Sequence, residues 1–258
     1  MLVYIPTLGR EGKQITLESI PERWKEKVIL VCPKEEKHDW ENRIDVPKEC
    51  VGHINKTRQW ILEQSLDPHV GMLDDDLKFY QRDSEVLTKR HRLDDAGPIL
   101  DLMEQWLEEG EVYCGVSNSF MSHNNPSEYY YGKPTHSLFA DRDYLAQKNI
   151  KYTDIQFFSD FHVPMCVLES GRRLRYTGEF IAQEYKGNAP GGCSITRNSE
   201  NLRKSMLQLV DMHPKYIEAK EEEGAQNQNI EVGVKLKFLF AKAYKENVTE
   251  DASLESFF

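Results

Sequence analysis

Three short apolar runs, each stopped by a proline or a block of charge, do most to limit how this chain folds. "LVYIP" ends at Pro6, "KVILVCP" (Lys27 to Pro33) ends at Pro33, and "HVGML" (His69 to Leu73) ends on Asp74, Asp75 and Asp76. "VILVC", continuously apolar and bounded by breakers, has the pattern of a strand buried on both faces. The segments between the runs read as helices: "TLESIPERW", broken at Pro21, the polar "EEKHDWENR", and "HINKTRQWILEQSL" (His53 to Leu66). The last sets Ile54, Trp60, Ile61 and Leu66 at mostly helical spacing. Strands and helices alternating over short connections imply a parallel sheet with right-handed crossovers.

The pattern continues with a helix over "DAGPILDLMEQWLEEG", where Asp94 or Asp95 can cap, Pro98 suits the first turn and Gly110 ends it. Further strands are expected at "VYCGVSNSFM", "HSLFA" and "RLRYTGEFIAQEY", and a late one at "EVGVKLKFLFAKAY". Helices are expected near "DRDYLAQKN", within "FFSDFHVPMCVLESG" with Gly171 after its end, and over "NSENLRKSMLQLVDMHP". The expected fold class is α/β: a Rossmann-type mixed sheet flanked by helices, with a partly helical C-terminal third.

Composition removes several classes. No apolar stretch approaches the roughly 20 residues of a membrane span. The start lacks the basic n-region and apolar segment of a signal peptide. The five cysteines, Cys32, Cys50, Cys114, Cys166 and Cys193, are scattered without a Cys-x-x-Cys pair, which argues for a reducing, cytoplasmic compartment and against a thiolate zinc site. A net charge of -10 excludes a wholly basic nucleic-acid surface, although "TKRHRL" and "GRRLRY" are local basic clusters. Each such cluster reads first as a solvated face.

Three adjacent carboxylates after a buried strand pose the central question. Like charges this close repel strongly wherever water is scarce. In parallel α/β sheets ligands collect at the C-terminal ends of strands, which is where Asp74 to Asp76 stand. Hard oxygen ligands suit Mn²⁺ or Mg²⁺. Alternation along an extended segment puts Asp74 and Asp76 on one face and turns Asp75 elsewhere.

"VYIPTLGR", "VILVCP", "NKTRQWIL" and "MLDDD", in that order, resemble a GT-A-fold glycosyltransferase with its Asp-x-Asp motif. The resemblance covers the first half of the chain and implies a nucleotide-sugar donor, most readily a UDP-sugar. It implies that Pro6, Thr7 and Arg10 hold the nucleotide and that Lys56 and Arg58 meet phosphate. Asp74 and Asp75 would lie on the donor and Asp74 and Asp76 on the metal, with His213 as a third metal ligand. Asp160 in "FFSDFHVPM" would be the acceptor's base, with His162 beside it, although Ser159 stands where the commonest families carry an acid. Without the resemblance, Asp160 is equally an N-cap, His213 a helix-end residue and "NAPGGCSITR" an ordinary turn.

The later segments, "FFSDFHVPMCVLESG", "APGGCSITR" and "HPKY", are similar to the phage TET-associated glycosyltransferases. That implies an acceptor hydroxyl on hydroxymethylated pyrimidines in phage DNA, such as 5-hydroxymethylcytosine, reached at Gly191, Gly192 and His162. The aromatic loop "SEYYYGKPTH" would stack on bases and the basic clusters would hold the backbone. The organisation implied is one domain over 1–258: a nucleotide-sugar half (1–121), an acceptor half (122–245) and a mobile polar tail (246–258). No membrane and no obligate protein partner are expected. The competing readings are a glycosyltransferase for a small glycan, lipid or protein, a nucleotidyltransferase ("TLGREGK" is a partial match), and a non-enzymatic acidic interaction module.

Overall fold

The computed structural model describes residues 1–86, 88–118, 128–132, 136–185, 197–227 and 230–248. The first half runs β1 (Leu2–Pro6), α1 (Ile15–Glu18), α2 (Glu22–Lys25), β2 (Val28–Cys32), β3 (Arg43–Asp45), α3 (Ile54–Gln64), β4 (His69–Leu73), β5 (Leu77–Arg82), β6 (Arg90–Leu93) and α4 (Gly97–Glu108). Then follow β7 (Tyr113–Ser117), β8 (Glu128–Tyr129), β9 (Ser137–Asp141), α5 (Arg142–Gln147), α6 (Ser159–Glu169) and β10 (Arg175–Glu184). The last part holds α7 (Ser199–Met212), β11 (Ile217–Glu221), β12 (Gln226–Asn227), β13 (Ile230–Glu231), β14 (Val234–Phe238) and α8 (Phe240–Asn247).

Among the described residues ten strands form one mixed sheet in the order β3-β2-β1-β4-β9-β7-β10-β5-β6, with β8 also on β10. The four strands β3, β2, β1 and β4 are mutually parallel, as the buried apolar runs require. Strand β9 then enters antiparallel between β4 and β7. Alternate side chains serve two cores. Val3, Ile5, Leu30, Phe139 and Cys114 face α4 and its Met103 and Trp106. Tyr4, Val31, Met72, Leu138 and Tyr113 face α3 and α6 through Ile61, Leu62, Val163 and Met165. A smaller cluster of Phe157, Leu202, Met206, Val232 and Val234 anchors the C-terminal third.

Gly71 lies in the middle of β4, where a Cβ would sit 2.8 Å from two ring carbons of Phe139 and 3.2 Å from Val3. Gly71→Ala is therefore expected to lower stability by about 1–3 kcal/mol through overpacking. Urea unfolding of the purified variant checks this, and an unchanged midpoint would contradict the packing.

Three segments differ from expectation. "EEKHDWENR" is not a helix but a connection into β3. Side chain-to-backbone bonds hold it open: Trp40 Nε1 donates to Val28 O (3.0 Å), Asn42 Nδ2 to Glu26 O (2.9 Å) and Arg43 Nη1 to Glu36 O (2.8 Å). Such bonds compete with helix formation. The polar stretch after the triplet, whose composition reads as a loop, is a hairpin, β5–β6, whose edge strand carries Arg90, His91 and Arg92. Charge on an edge strand blocks pairing with other chains and disguises the strand as a loop. The late strand stops at Phe238, and "FAKAYKEN" is helix α8, with Phe240 and Ala243 buried at helical spacing. No helix among the described residues is long and apolar enough to cross a membrane.

Candidate functional site

Strands β1 and β4 are parallel neighbours, Val3 opposite Gly71, so both chains leave the sheet at the same edge. A cleft of about 560 Å³ opens there, walled by the loop after β1, the start of α3, the aspartate triplet, His136, Glu184 and the start of α6.

Beyond Leu73 the backbone turns. Asp74 N–H donates to His136 O (2.9 Å) and Thr16 N–H to Asp75 O (3.2 Å). The buried Thr16 hydroxyl donates to Asp74 O (2.6 Å) and accepts from Leu77 N–H (2.8 Å). This tight turn cancels the alternation expected of an extended segment, and all three aspartates line the cleft. Asp75 does not face away. It shares Arg10 with Asp76: Arg10 Nη1 lies 2.9 Å from Asp75 Oδ1 and 2.7 Å from Asp76 Oδ2. Thr7 Oγ1 donates to Asp75 Oδ2 (2.5 Å). Asp74 turns the other way, accepting from Arg58 Nη2 (3.1 Å) and His136 Nδ1 (2.9 Å). His136 Nδ1 is also 3.1 Å from Glu184 Oε1.

The triplet is thus tolerated because two arginines and a histidine are fixed against it. Burial acts to raise Asp74, but the His136 bond and the Arg58 charge hold its carboxyl below the usual range. Burial acts to lower His136, yet the hydrogen bond and charge of Asp74, then Glu184, raise it. Glu184 is raised by burial, and the charges of Asp74 and Asp76 add to the rise. Asp74, His136 and Glu184 each offer one ligand atom, all within 4.8 Å of one another. Two carboxylates and an imidazole suit Mn²⁺ or Mg²⁺, and a cation there would replace the proton His136 now holds between two acids. Asp76 stands beside this group, paired with Arg10.

Asp75 is pushed up to about 6 from 3.8, chiefly by burial; Thr7 and Arg10 pull it down, and Asp76 and Asp74 push it up. The folded state therefore binds this proton more tightly than the unfolded chain. That contribution is full below pH ~4 and is lost as the pH rises through ~6, an upper figure of roughly 3 kcal/mol. Asp75→Asn should melt above the wild type at pH 8, and the gap should close by pH 4. A gap that does not change with pH would refute the assignment.

The opposite wall is set by Asn55 of α3. Its Nδ2 donates to Ile155 O (2.7 Å) and Gln156 O (3.0 Å), and its Oδ1 accepts from Ser159 Oγ (2.7 Å). These bonds bind the start of α3 to the start of α6. The residue before α6, Phe158, has φ 68°, a left-handed conformation that costs a non-glycine residue energy. Asp160 follows in the first turn of α6 and lines the cleft. The N-cap is Phe158, so capping does not account for Asp160.

Pro6, Thr7, Arg10, Arg58, Asp74, Asp75, Asp76 and Asp160 all reach this cleft. Arg58 is nearly buried, and among the described residues its Nε has no hydrogen-bond partner. Lys56 is exposed and does not line the cleft. Asn55 and Arg58 share a helix face at i, i+3, and Lys56 projects to one side. His162 and His213 are not at the site. Two residues apart on a helix, Asp160 and His162 point in nearly opposite directions, and His162 is buried against His213, 2.9 Å away. Burial, then the neighbouring His213, push the His162 imidazole down. His213 is thus a core residue at the end of α7, away from Asp74 and Asp76. Gly191, Gly192 and the tail beyond 248 lie outside the described residues.

Part of what reads as DNA contacts, the second basic cluster and the tyrosines Tyr129 to Tyr131, is used in contacts within the fold. Arg173 pairs with Glu111, and Arg175 pairs with Glu109 and Glu128 while lying over Trp106. Tyr129 stacks on Tyr176, Tyr131 packs against Tyr244, and Tyr130 lies under Arg173. His136 and Glu184 were not foreseen as site residues. Each stands at a sheet end beside the triplet, but only the strand order reveals which end.

No family model and no curated protein sequence matches the chain. Solved structures do. Residues 1–349 of S. aureus TarS in complex with UDP-GlcNAc superpose with a TM-score of 0.54 at 14% identity, over 82% of this chain and 66% of that one. GalNAc-T7 with UDP, GalNAc and Mn²⁺ gives 0.51 at 7% identity, over 81% and 47%. The chain has the GT-A fold. It spans just under two thirds of the TarS fragment and about half of GalNAc-T7. Within this GT-A fold the cleft at the ends of β1 and β4 occupies the strand-end position where α/β sheets take ligands.

Proposed function

We propose that this protein is a cation-dependent glycosyltransferase that moves a sugar from a UDP-sugar to an acceptor hydroxyl. The observation that carries the reading is the convergence of Asp74, His136 and Glu184 with Arg10 and Arg58 in one cleft of a GT-A fold, facing Asp160. The structures of TarS with UDP-GlcNAc and of GalNAc-T7 with UDP, GalNAc and Mn²⁺ support a UDP-sugar donor and a divalent cation.

In this reading Pro6 and Thr7 border the nucleotide, and Arg10 and Arg58 offer fixed positive charge to the diphosphate. Asp74, His136 and Glu184 hold the cation. When bound, a Mn²⁺ or Mg²⁺ ion neutralises the negative charge that grows on the departing diphosphate. Asp160 accepts the acceptor's proton in an inverting transfer. A cytoplasmic location accords with the scattered cysteines.

The test is a screen of nucleotide sugars for UDP release with Mn²⁺ and without it. UDP release that needs the cation supports the reading. Release of pyrophosphate from a nucleoside triphosphate would favour a nucleotidyltransferase, and absence of both would favour an interaction module. Hydroxymethylated phage DNA is the narrower acceptor that the sequence resemblance implies. The internal pairing of Arg173 and Arg175 weakens that choice relative to a small glycan, lipid or protein hydroxyl. Mass spectrometry of nucleosides from treated hydroxymethylated DNA decides between them.

A further inference from the structure

A second cluster lies in the core on the face of α6 that points away from Asp160. His162, Cys166 and Glu169 form one stripe of that helix at i, i+4 and i+7. The stripe meets His213 at the end of α7. His162 Nδ1 is 2.9 Å from His213 Nε2, and Cys166 Sγ is 3.7 Å from His162 Nδ1. The ligand atoms of the three residues lie within 4.8 Å of one another. Both histidines are almost fully buried, and Cys166 is partly exposed.

The far nitrogens of the two rings decide how to read this cluster. His213 Nδ1 is 2.8 Å from Glu169 Oε2 and donates to it. His162 Nε2 faces Asp154 Oδ2 at 3.6 Å. Glu169 therefore holds a proton on His213 Nδ1, which in a neutral ring leaves His213 Nε2 as a bare lone pair, whereas Asp154 is beyond hydrogen-bond reach of His162. His162 Nδ1 meets that lone pair at hydrogen-bond distance, 2.9 Å, and the Cys166 sulfur lies 3.7 Å from both nitrogens of the His162 ring. A cation between the two rings would take the place of the single proton they share. Carboxylates behind metal-bound histidines are the usual second support of such a site, fixing tautomer and ring orientation.

We propose that His162, Cys166 and His213 bind Zn²⁺, which clamps α6 to the end of α7. Zinc prefers this borderline-soft nitrogen and sulfur set. Zn–N distances of about 2.0 Å and Zn–S of about 2.3 Å put tetrahedral ligand atoms about 3.3–3.6 Å apart. The Cys166–His162 spacing of 3.7 Å is close to this, and the two imidazoles need to part by a few tenths of an ångström. This proposal departs from the expectation that the scattered cysteines hold no zinc, because Cys166 and His213 are brought together only by packing. The site is separate from the cleft and does not depend on the glycosyltransferase reading.

The test uses the whole chain, dialysed against chelator and titrated with Co²⁺ alone and then with Zn²⁺. The expected result is a thiolate-to-cobalt charge-transfer band with tetrahedral d–d absorption, both bleached by stoichiometric Zn²⁺, and a melting temperature several degrees higher with Zn²⁺. Asp74→Asn should keep the band, since the cleft group has no thiol. Cys166→Ser and His213→Gln should each lose it, and either one suffices if the other does not fold. Glu169→Gln should weaken zinc about 10- to 100-fold. No band in the folded wild-type protein, or a band that survives in Cys166→Ser, overturns the proposal.

Discussion

Asp74→Asn should lower sugar transfer by about three orders of magnitude and abolish tight Mn²⁺ binding. Asp74 is where the cleft's electrostatics meet: one oxygen accepts from Arg58 Nη2, the other from His136 Nδ1. An asparagine must turn its N–H₂ toward one of these donors, so a donor faces a donor. The substitution also removes the carboxylate that balances Arg58, a guanidinium only 8% exposed. Breaking a buried pair from one side leaves an uncompensated charge, and an accompanying stability loss of about 1–3 kcal/mol is expected because Asp74 is itself partly exposed. Two measurements separate the effects: Mn²⁺ titration followed by electron paramagnetic resonance, and the rate at saturating donor. Near-normal Mn²⁺ affinity and rate in the folded variant would sink the cation site. The mirror substitution Asp76→Asn is informative, because Asp76 is paired with Arg10 rather than with His136. It should retain more Mn²⁺ affinity than Asp74→Asn.

Asp160→Asn is the second large effect, and it should appear in kcat. General-base catalysis contributes about 10²- to 10⁴-fold, so a loss in that range is expected with donor KM little changed. Asparagine keeps the size and much of the polarity at a site where the helix N-cap is Phe158 rather than Asp160. The fold should therefore survive, and thermal melting verifies it. Removing a base also removes its limb of the pH–rate profile, whereas a residue that only shapes the cleft would lower the rate equally at all pH values. Unchanged turnover, or a pH-independent loss, would assign Asp160 to packing of the α3–α6 wall.

The half of the cleft proposed for the donor could be located from the sequence because the residues that mark it act locally. Pro6 and the triplet end apolar runs, and the ends of parallel strands are where α/β sheets take ligands. Arg58 could be named beside Lys56, but helix phase removed Lys56 and kept Arg58. The face assigned to Asp75 failed for a definite reason: Thr16, far away in sequence, pins a turn where an extended segment was assumed. His162 failed through the same helical geometry that admits Asp160. The β5–β6 hairpin was hidden by its charged edge, and α8 by the period-two run that precedes it.

The sequence by itself determined the class of the fold and the location of the carboxylates, since buried runs, breakers and short connections act over a few residues. Only the tertiary structure decided what those carboxylates meet. His136 and Glu184 join Asp74 because β9 inserts between β4 and β7 and β10 ends across the cleft. His213 joins His162 and Cys166 because the end of α7 meets α6 there. Contacts between residues 47 to 110 positions apart leave no local periodicity, so they emerge only once the sheet order and helix phases are set.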